Sequence, residues 1–531
     1  MEERLIYFDN AATVWPKPEG VYKFMDEFFR THGVNPGRSG YDLAVEAGSL
    51  LDKTRKRLTK FFGGDEDAPE RLVFGYNATD ALNLAIPGLV GHGDHVITTN
   101  LEHNSVIRPV NHMVRDHGAE ATYLPFNAQG FIEPDAVRKA IRPNTRVVIV
   151  NHGSNVIGTV QPIKEIGAIC REHGLTFVVD TAQTAGVIPI DMEEMNIDVL
   201  AFTGHKALMG SMGIGGLSVR KHVKIRQVRS GGTGVRSADP YHLVEYPWRL
   251  EYGTPNMMGV ASLWAGQDWL DAHGVANVHR QEMALARKLV DGLRTIQGVK
   301  LYCCDNLDNH LSTILMNLEG VDPANVGVML DVDYSIATRT GLHCAPLVHK
   351  QLGTIQRDGG VRFSIGAFNT AQEVDAAIAG IADISQCAHE RATKLHSALA
   401  NEVHGGIAMA DSIWTIGNIS CVGMCKDRPG HPAMNANSYS VELSSEKERL
   451  TVEVAVTHVA SQYAMDCLYG NSLNDGANVE TVEQDLVRCV VEKELRDTDN
   501  GWNPRRTPWL TIDSHDVQEI VEQLASSYRP G

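Results

Sequence analysis

The sequence predicts an α/β protein with a mostly parallel central sheet, a smaller α+β domain and an additional C-terminal α+β domain. Three observations lead to this prediction. Strand-like apolar runs alternate with helical patterns between about residues 70 and 220, as in a parallel sheet that is covered on both faces. From 256 to 385 a helix-rich stretch precedes isolated strands, and beyond 388 the chain becomes markedly more acidic.

The large domain rests on five predicted strands. They are Arg71–Phe74, Asp94–Thr99, Thr145–Asn151, Leu175–Asp180 and Asp198–Thr203. The run Thr145–Asn151 is almost continuously apolar, which is typical of a strand buried on both faces of a parallel sheet. Helical patterns such as Ile163–His173 lie between the strands. We therefore expect ligands to bind beyond the carboxyl ends of these strands.

The smaller domain is predicted from the helix-rich stretch Met257–Ile296, a strand at Leu311–Met316 and a final helix over Ala371–Ile384. The predicted elements of the third domain are strands at Tyr439–Leu443 and Arg449–Val456, and helices over Val482–Leu495 and Ser514–Ser526. We therefore predict a large domain over 15–255, a small domain formed by 1–14 and 256–387, and an accessory domain over 388–531.

The charge balance excludes several classes of partner. The 531 residues include 48 basic and 65 acidic side chains, for a net charge of -17, which argues against nucleic-acid binding and against an anionic membrane surface. Residues 388–531 hold 12 basic and 21 acidic side chains, so they contribute -9 of that charge. No apolar run approaches the roughly 20 residues of a membrane helix, and the charged start is unlike a signal peptide. We expect a cytoplasmic protein.

The nine cysteines are an odd number spread thinly over the chain, which is not a disulfide framework. In a reducing compartment one of them is a candidate reactive thiol. Cys170, Cys387 and Cys489 lie in helix-like apolar patterns that are typical of core positions.

A lysine follows the last of the five strands, at Lys206. An unpaired ammonium is costly at a buried strand end, and one use for it is a Schiff base with a carbonyl cofactor. A lysine that simply reaches solvent is the alternative for this segment alone. Asp180 ends the preceding strand, where its carboxylate can pair with a pyridinium nitrogen, although it equally suits a helix N-cap. Gln183 could reach the phenolic oxygen of the same ring.

Other strand ends carry further polar groups. A flat imidazole at His103 could cover a pyridine ring and move protons, and Asn155 follows the next strand. Backbone N–H groups at Ala78 and Thr79 begin a predicted helix, where a phosphate could bind with side-chain donors. The candidate donors are Thr203 and His205. Each signal alone also fits a solvated loop or an ordinary helix cap. Together they supply the groups that a phosphorylated pyridine aldehyde requires.

These motifs resemble those of the class V, fold-type I pyridoxal-phosphate enzymes, in the cysteine desulfurase and selenocysteine lyase group. The resemblance covers residues 5 to about 385, and no family is identified for the C-terminal extension. The motifs that carry it are Tyr7–Thr13, Asn77–Asn83, Glu102–Ser105, Ser154–Thr159, Asp180–Gln183, Thr203–Lys206, Gly253–Asn256 and Arg339–Pro346.

The resemblance implies a role for each candidate residue. Lys206 would bind pyridoxal 5'-phosphate covalently, His103 would stack on its ring and Asp180 would pair with the ring nitrogen. The implied cofactor-binding set is Ala78, Thr79, His103, Asp180, Gln183, Thr203, His205, Lys206 and Thr254. Thr254 would reach the phosphate of a neighbouring subunit, which implies a homodimer.

The segment Arg339–Pro346 is similar to the substrate loop of the group II, SufS-like desulfurases. There the arginine binds substrate and the cysteine takes the sulfur, so Arg339 would assist binding and Cys344 would carry a persulfide. Asn155 and Arg362 would hold the substrate carboxylate, which the planar fork of an arginine suits. Arg339 and His343 are expected to lower the pKa of Cys344. The implied reaction converts L-cysteine to L-alanine, with Lys206, Cys344 and His103 as the catalytic residues.

Two alternatives stay open at this point. One is selenocysteine lysis or another class V aminotransferase or β-lyase reaction, and the other is a non-catalytic scaffold whose C-terminal domain binds a partner. The sulfur acceptor is either a separate protein or the chain's own C-terminal domain, where Cys421 and Cys425 form a C-x₃-C pair near His431. Two ordinary thiols are the favoured interpretation, and we predict no metal site because a second zinc ligand pair is missing.

Overall fold

The computed structural model of this chain describes residues 5–36, 40–404, 415–424, 436–444, 449–457 and 509–512, with side chains described up to residue 389. The chain separates into two compact units, residues 1–393 and 394–531.

The first unit begins with the elements of the large sheet and the helices around it. They are β1 (Ile6–Tyr7), α1 (Glu19–His32), α2 (Asp42–Phe61), β2 (Leu72–Gly75), α3 (Ala78–Leu89), β3 (His95–Thr99), α4 (Asn104–His117), β4 (Glu120–Leu124), α5 (Pro134–Ala140), β5 (Thr145–Asn151), α6 (Ile163–Glu172), β6 (Thr176–Asp180), β7 (Val199–Thr203), β8 (Gly215–Val219) and α7 (Met257–His273).

The remaining elements follow in chain order. They are α8 (Val275–Arg294), β9 (Val299–Tyr302), β10 (Thr313–Leu318), α9 (Pro323–Tyr334), β11 (Ile336–Ala337), β12 (Arg339–Gly341), α10 (Pro346–Leu352), β13 (Gly360–Ser364), α11 (Ala371–His404), β14 (Thr415–Met424), β15 (Ala436–Ser444), β16 (Arg449–Thr457) and β17 (Trp509–Ile512).

The large sheet has seven strands in the order β2-β8-β7-β6-β5-β3-β4. Five of these strands, from β7 across to β4, pair in parallel, whereas β8 is antiparallel to both of its neighbours. The predicted mostly parallel sheet is therefore confirmed. The five predicted strands correspond to β2, β3, β5, β6 and β7, each within a residue of its observed ends.

Alternating side chains of the buried strands divide the large domain into two cores. Val148 and Val150 of β5 pack with residues of α1, α2, α5 and α6, while Val147 and Ile149 pack with residues of α3 and α4 on the other face. This is the period of two that a strand buried on both faces requires. The helix α7, assigned to the small domain by the sequence, packs its apolar side chains into the first of these cores.

The small domain contains an antiparallel sheet in the order β12-β13-β10-β9. Its core joins Phe8 from the N-terminal segment with residues of α8, α9 and α11. The strand β1 pairs in parallel with β11, so the first residues of the chain lie in this domain. The packing brings β12 and β13 to the carboxyl ends of the large-sheet strands.

The second unit contains a sheet in the order β14-β15-β16-β17. The predicted strands Tyr439–Leu443 and Arg449–Val456 lie within β15 and β16. Cys421 is in β14, whereas Cys425, His431 and the predicted helices over Val482–Leu495 and Ser514–Ser526 lie outside the described residues. In the described part of the chain, no helix is both long enough and apolar enough to cross a bilayer.

Candidate active site

A cavity of 230 Å³ lies at the carboxyl ends of the parallel strands. Eleven of the predicted site residues line it: Ala78, Thr79, His103, Asn155, Asp180, Gln183, Thr203, His205, Lys206, Arg339 and Arg362. The structure thus brings together groups from six strand ends or helix starts and from both domains. Only Cys344 and Thr254 of the predicted set are not among its lining residues.

Lys206 and Asp180 face the cavity from adjacent parallel strands. Asp180 ends β6, where its side chain accepts a hydrogen bond from the backbone N–H of Ala182 at 2.9 Å. Burial lowers the pKa of Lys206 to about 8, against the opposing effect of Asp180. Burial raises the pKa of Asp180. Each charge is therefore poorly solvated and is stabilised by its opposite across the cavity.

His103 is the N-cap of α4, and its Nδ1 accepts the backbone N–H of Ser105 at 3.0 Å. Since a backbone N–H can only donate, the neutral ring carries its proton on Nε2. Burial, together with the positive charge of Lys206, lowers the pKa of His103 to about 4. The imidazole is therefore uncharged at neutral pH and presents a flat, neutral face to the cavity.

The first turn of α3 lines part of the cavity. The Asn77 side chain caps the helix by accepting the N–H of Asp80 at 2.9 Å, and Ala78 and Thr79 line the cavity beside it. Thr203 Oγ1 and His205 Nδ1 are buried without a hydrogen-bond partner within the described protein. Free N–H groups at a helix start and two unpaired side-chain atoms fit a phosphate group.

Arg362 projects into the cavity from β13 and is only 1% exposed. Its Nη2 donates to Asp9 Oδ1 at 2.5 Å and its Nη1 donates to the backbone oxygen of Asn155 at 2.9 Å, whereas Nε is buried without a protein partner. The Asn155 side-chain oxygen is also buried and unpartnered. A small anion at this point would satisfy Arg362 Nε, whereas Asn155 Oδ1 can only accept and needs a donor.

Cys344 lies next to the cavity in the loop that follows β12. Its Sγ is 3.4 Å from Nη2 of Arg339, so a positive charge contacts the thiol. His343 and Cys344 both have left-handed backbone angles, with φ of 51° and 56°. The Cys344 carbonyl accepts the N–H of Asn104 at 2.7 Å, which ties this loop to the start of α4.

One expectation for this loop is not met. Burial, with a further contribution from Arg362, lowers the pKa of His343 well below its usual range, so the ring is neutral. Its two nitrogens lie within hydrogen-bond distance of the Arg339 carbonyl and the His349 ring rather than of Cys344. Of Arg339 and His343, only Arg339 is positively charged, and Arg362 also interacts electrostatically with Cys344.

Gln183 and Thr254 occupy different surroundings. Gln183 donates its side-chain amide to the carbonyl of Ala11 at 3.0 Å while lining the cavity. Thr254 lies in a second cavity of 740 Å³, which is also lined by Tyr76 and Gly234. The sequence prediction for Thr254 concerned a neighbouring subunit's site, and Thr254 does not reach the Lys206 cavity of its own chain.

Two acidic residues beside the site were not singled out from the sequence. Asp9 pairs with Arg362, and the fully buried Glu102 accepts the Thr99 hydroxyl at 2.7 Å and the Asn151 N–H at 3.0 Å. Burial raises the pKa of Glu102 to about 8. Asp9 follows a strand-like run, which is the one sequence signal that could have identified it. Its partner Arg362 lies 353 residues away, so the ion pair itself could not be predicted.

Known proteins are similar to the first unit of this chain. The profile of the family described as Aminotransferase class-V matches residues 6–377. A probable cysteine desulfurase from Halalkalibacterium halodurans is 33% identical over 385 residues, covering 71% of this chain and 92% of that protein. A cysteine desulfurase from Cronobacter sakazakii is 32% identical over 387 residues, covering 71% and 92%.

Solved structures of cysteine desulfurases are also similar to this chain. The apo structure of a cysteine desulfurase from Thermococcus onnurineus NA1 is 33% identical, with a TM-score of 0.67, and the match covers 72% of this chain and 95% of that one. The cysteine desulfurase CsdA from Escherichia coli is 27% identical, with a TM-score of 0.65, and the match covers 73% and 96%.

Proposed function

The chain belongs to the class V aminotransferase family and to its cysteine desulfurase group, and from this we propose that it converts L-cysteine to L-alanine while Cys344 receives the sulfur. The observation that carries the proposal is the convergence of Lys206, Asp180, His103 and Arg362 on one cavity, with the Cys344 thiol against Arg339 beside it.

The residues of the cavity fit pyridoxal 5'-phosphate. The start of α3, with Thr203 and His205, would hold the phosphate, His103 would cover the ring, and Gln183 lies within the same cavity. When bound, this cofactor supplies an aldehyde that reacts with amines and a ring that withdraws electrons from the substrate's Cα. The Asp180 carboxylate would stabilise a positive charge on the ring nitrogen.

The substrate carboxylate is proposed to bind at the unpartnered Nε of Arg362, with Arg339 and Asn155 lining the same cavity. An arginine buried to this degree holds an anion strongly, because water does not compete for its donors. Asp9 fixes the Arg362 guanidinium in place by accepting from Nη2, which leaves its Nε for the substrate.

Lys206 would then transfer the proton, and Cys344 would take the sulfur. The Lys206 amine accepts the Cα proton at Nζ, a task for which its lowered pKa of about 8 is suited near neutral pH. Cys344 attacks the substrate sulfur as a thiolate. The S–S bond of a persulfide forms and the substrate's Cβ–S bond breaks. The carbon fragment takes up a proton at Cβ, regains one at Cα from Lys206, and leaves as alanine.

The same proposal includes a homodimer in the cytoplasm. The separation of Thr254 from its own chain's Lys206 cavity supports a contribution of Thr254 to the neighbouring subunit's site. The persulfide would pass to an acceptor protein or to the chain's own C-terminal domain.

The test compares wild type with Cys344→Ala and with Cys303→Ala, a matched control at a half-buried cysteine whose pKa burial raises to about 11. Each variant receives L-cysteine, and alanine and protein-bound persulfide are measured. We expect wild type and Cys303→Ala to form both products, and Cys344→Ala to stay coloured by cofactor while persulfide formation is lost. Pyruvate and ammonia as products, or wild-type persulfide levels in Cys344→Ala, would contradict the proposal.

A further inference from the structure

A buried chain of side chains runs from the Cys344 loop into the small domain. His343 Nε2 lies 3.1 Å from the carbonyl oxygen of Arg339, and His343 Nδ1 lies 3.2 Å from His349 Nε2. His349 Nδ1 in turn lies 2.8 Å from Thr354 Oγ1. The two imidazoles stack with centroids 5.4 Å apart, and His343, His349 and Thr354 are each at most 2% exposed.

The protons in this chain have one consistent arrangement. The Arg339 carbonyl can only accept, so His343 carries its proton on Nε2 and its Nδ1 must accept. His349 therefore donates from Nε2, and its own Nδ1 accepts the hydroxyl proton of Thr354. Both rings are neutral, because burial lowers the pKa of His349 to about 4 and holds that of His343 well below its usual range.

The end of this chain is the loop that presents the reactive thiol. The Arg339 carbonyl belongs to the residue whose guanidinium contacts Cys344 Sγ at 3.4 Å. His343 and Cys344 hold left-handed backbone angles, which are costly for residues with side chains and persist only where surrounding contacts impose them. The Asn155 amide donates to the His343 carbonyl at 2.7 Å and fixes the loop from the cavity side.

We propose that His349 and Thr354 are positioning residues for Cys344, acting through the ring of His343. The Arg339 carbonyl fixes the tautomer of His343, which fixes that of His349. The Thr354 hydroxyl completes the chain by donating to His349 Nδ1. That chain keeps the left-handed turn that places Sγ against the guanidinium. The inference rests on the proposed role of Cys344 as the sulfur-accepting thiol.

Thr354→Val is the informative variant, because it keeps the shape of the side chain and removes only the hydroxyl donor. Thr354→Ser restores the hydroxyl and is its matched control. In the cofactor-loaded, full-length protein, the rate at which iodoacetamide labels Cys344 is measured across pH by peptide mass spectrometry, with Cys303 as the internal reference. Thermal stability is recorded for each variant.

In Thr354→Val we expect Cys344 labelling near neutral pH to fall about tenfold relative to wild type, the scale of one lost buried hydrogen bond. Labelling of Cys303 in the same protein should stay at its wild-type rate. Thr354→Ser should restore the Cys344 rate. A loss of thermal stability with an unchanged ratio of Cys344 to Cys303 labelling would overturn the inference.

A second pair keeps the proposal testable if Thr354→Val does not fold. His349→Gln places an amide N–H₂ near the position of Nε2, whereas His349→Leu has no donor. We expect Gln to retain more of the wild-type labelling profile than Leu, and equal profiles would overturn the inference. Unchanged persulfide formation in Cys344→Ala would instead refute the proposed role of Cys344. The labelling experiment does not measure persulfide, so it tests the positioning of Cys344 separately.

Discussion

At the scale of single residues, the chemistry of the cavity depends on how little water reaches its charges. Lys206 is held by Asp180 on one side and is opposed by Arg362 and Arg339 on the other, and burial remains the largest influence on its pKa. A neutral amine is the nucleophilic and basic form. The surroundings therefore make Lys206 reactive at a pH where an exposed lysine is almost wholly protonated.

This leads to a prediction for the cofactor-free protein. The rate at which Lys206 captures pyridoxal phosphate should rise with pH through a midpoint near 8, rather than near the ~10.4 of an exposed lysine. The growth of visible absorbance after mixing, followed across pH, measures this rate. Lys206→Ala should develop no such band, and a midpoint near that of free lysine would show that burial does not govern this amine.

Glu102 provides a second prediction, on stability. Burial raises its pKa from 4.5 to about 8, so the folded state favours the protonated carboxyl. Wild type therefore loses stability as pH rises from about 4.5 to about 8, whereas Glu102→Gln has no proton to lose. We expect the free energy of unfolding of Glu102→Gln, relative to wild type, to increase by about 1–4 kcal/mol over that range.

Chemical denaturation at several pH values measures this difference. Glu66→Gln serves as the control, because Glu66 is exposed. The change with pH in the Glu102→Gln difference should exceed any change in the Glu66→Gln difference. A Glu102→Gln difference that stays flat, or that falls as pH rises, would mean that Glu102 is ionised in the folded protein.

At the scale of elements, the antiparallel strand β8 determines how closely α3 approaches the sheet. A Cβ on Gly215 would lie 2.6 Å from the Phe202 carbonyl oxygen and 2.8 Å from Asn77 Cα. Asn77 is the cap whose helix begins at the proposed phosphate site. The glycine therefore allows β8 to pass directly beneath the start of α3.

Gly215→Ala should weaken cofactor binding by about tenfold, because the added methyl group forces the Asn77 turn away from its position. Titration of the cofactor-free protein with pyridoxal phosphate gives the dissociation constant. Gly20→Ala is the matched control, since a Cβ there meets nothing within 4 Å on helix α1. Equal dissociation constants for the two variants would show that the start of α3 tolerates the displacement.

The elements also show what could be predicted from the sequence. Strands such as β5 and β6 were located closely, because their apolar runs reflect burial on both faces. The strand β8 was missed because Gly215 and Gly216 have low strand propensity and are selected by close packing instead. The extension of α11 to His404 was also missed, since its apolar pattern weakens after Ile384.

In the candidate site too, some residues could be predicted from the sequence and others could not. Lys206, Asp180 and His103 could be proposed because each follows a recognisable strand, and strand ends of one parallel sheet meet at one edge. The neutral state of His343 and the pairing of Asp9 with Arg362 could not, because both depend on contacts between segments far apart in the sequence. The pKa of a buried group is a property of the packed environment.

At the scale of the whole molecule, the residues proposed for the conversion of L-cysteine belong to only one of the two compact units. The cavity, the Cys344 loop and the family match all lie within the first unit, residues 1–393. A chain ending at His404 keeps the whole of α11. We expect this shortened protein to bind cofactor and to form alanine from L-cysteine at the wild-type rate.

The full-length protein is the control, and the yield of alanine per coloured subunit is the measurement. Transfer of persulfide sulfur onward is compared separately in the two proteins. A large loss of alanine formation in the shortened chain would show that residues beyond 404 take part in the first half of the reaction.

The ion pair between Asp9 and Arg362 has a consequence for protein synthesis. Asp9 leaves the ribosome before its partner, which follows 353 residues later. At about 5–20 residues per second, the N-terminal segment waits for tens of seconds before β11 and β13 exist to receive it. The growing chain thus carries an unpaired β1 segment until β11 and β13 emerge, and no chain that has yet to reach Arg362 holds a complete site.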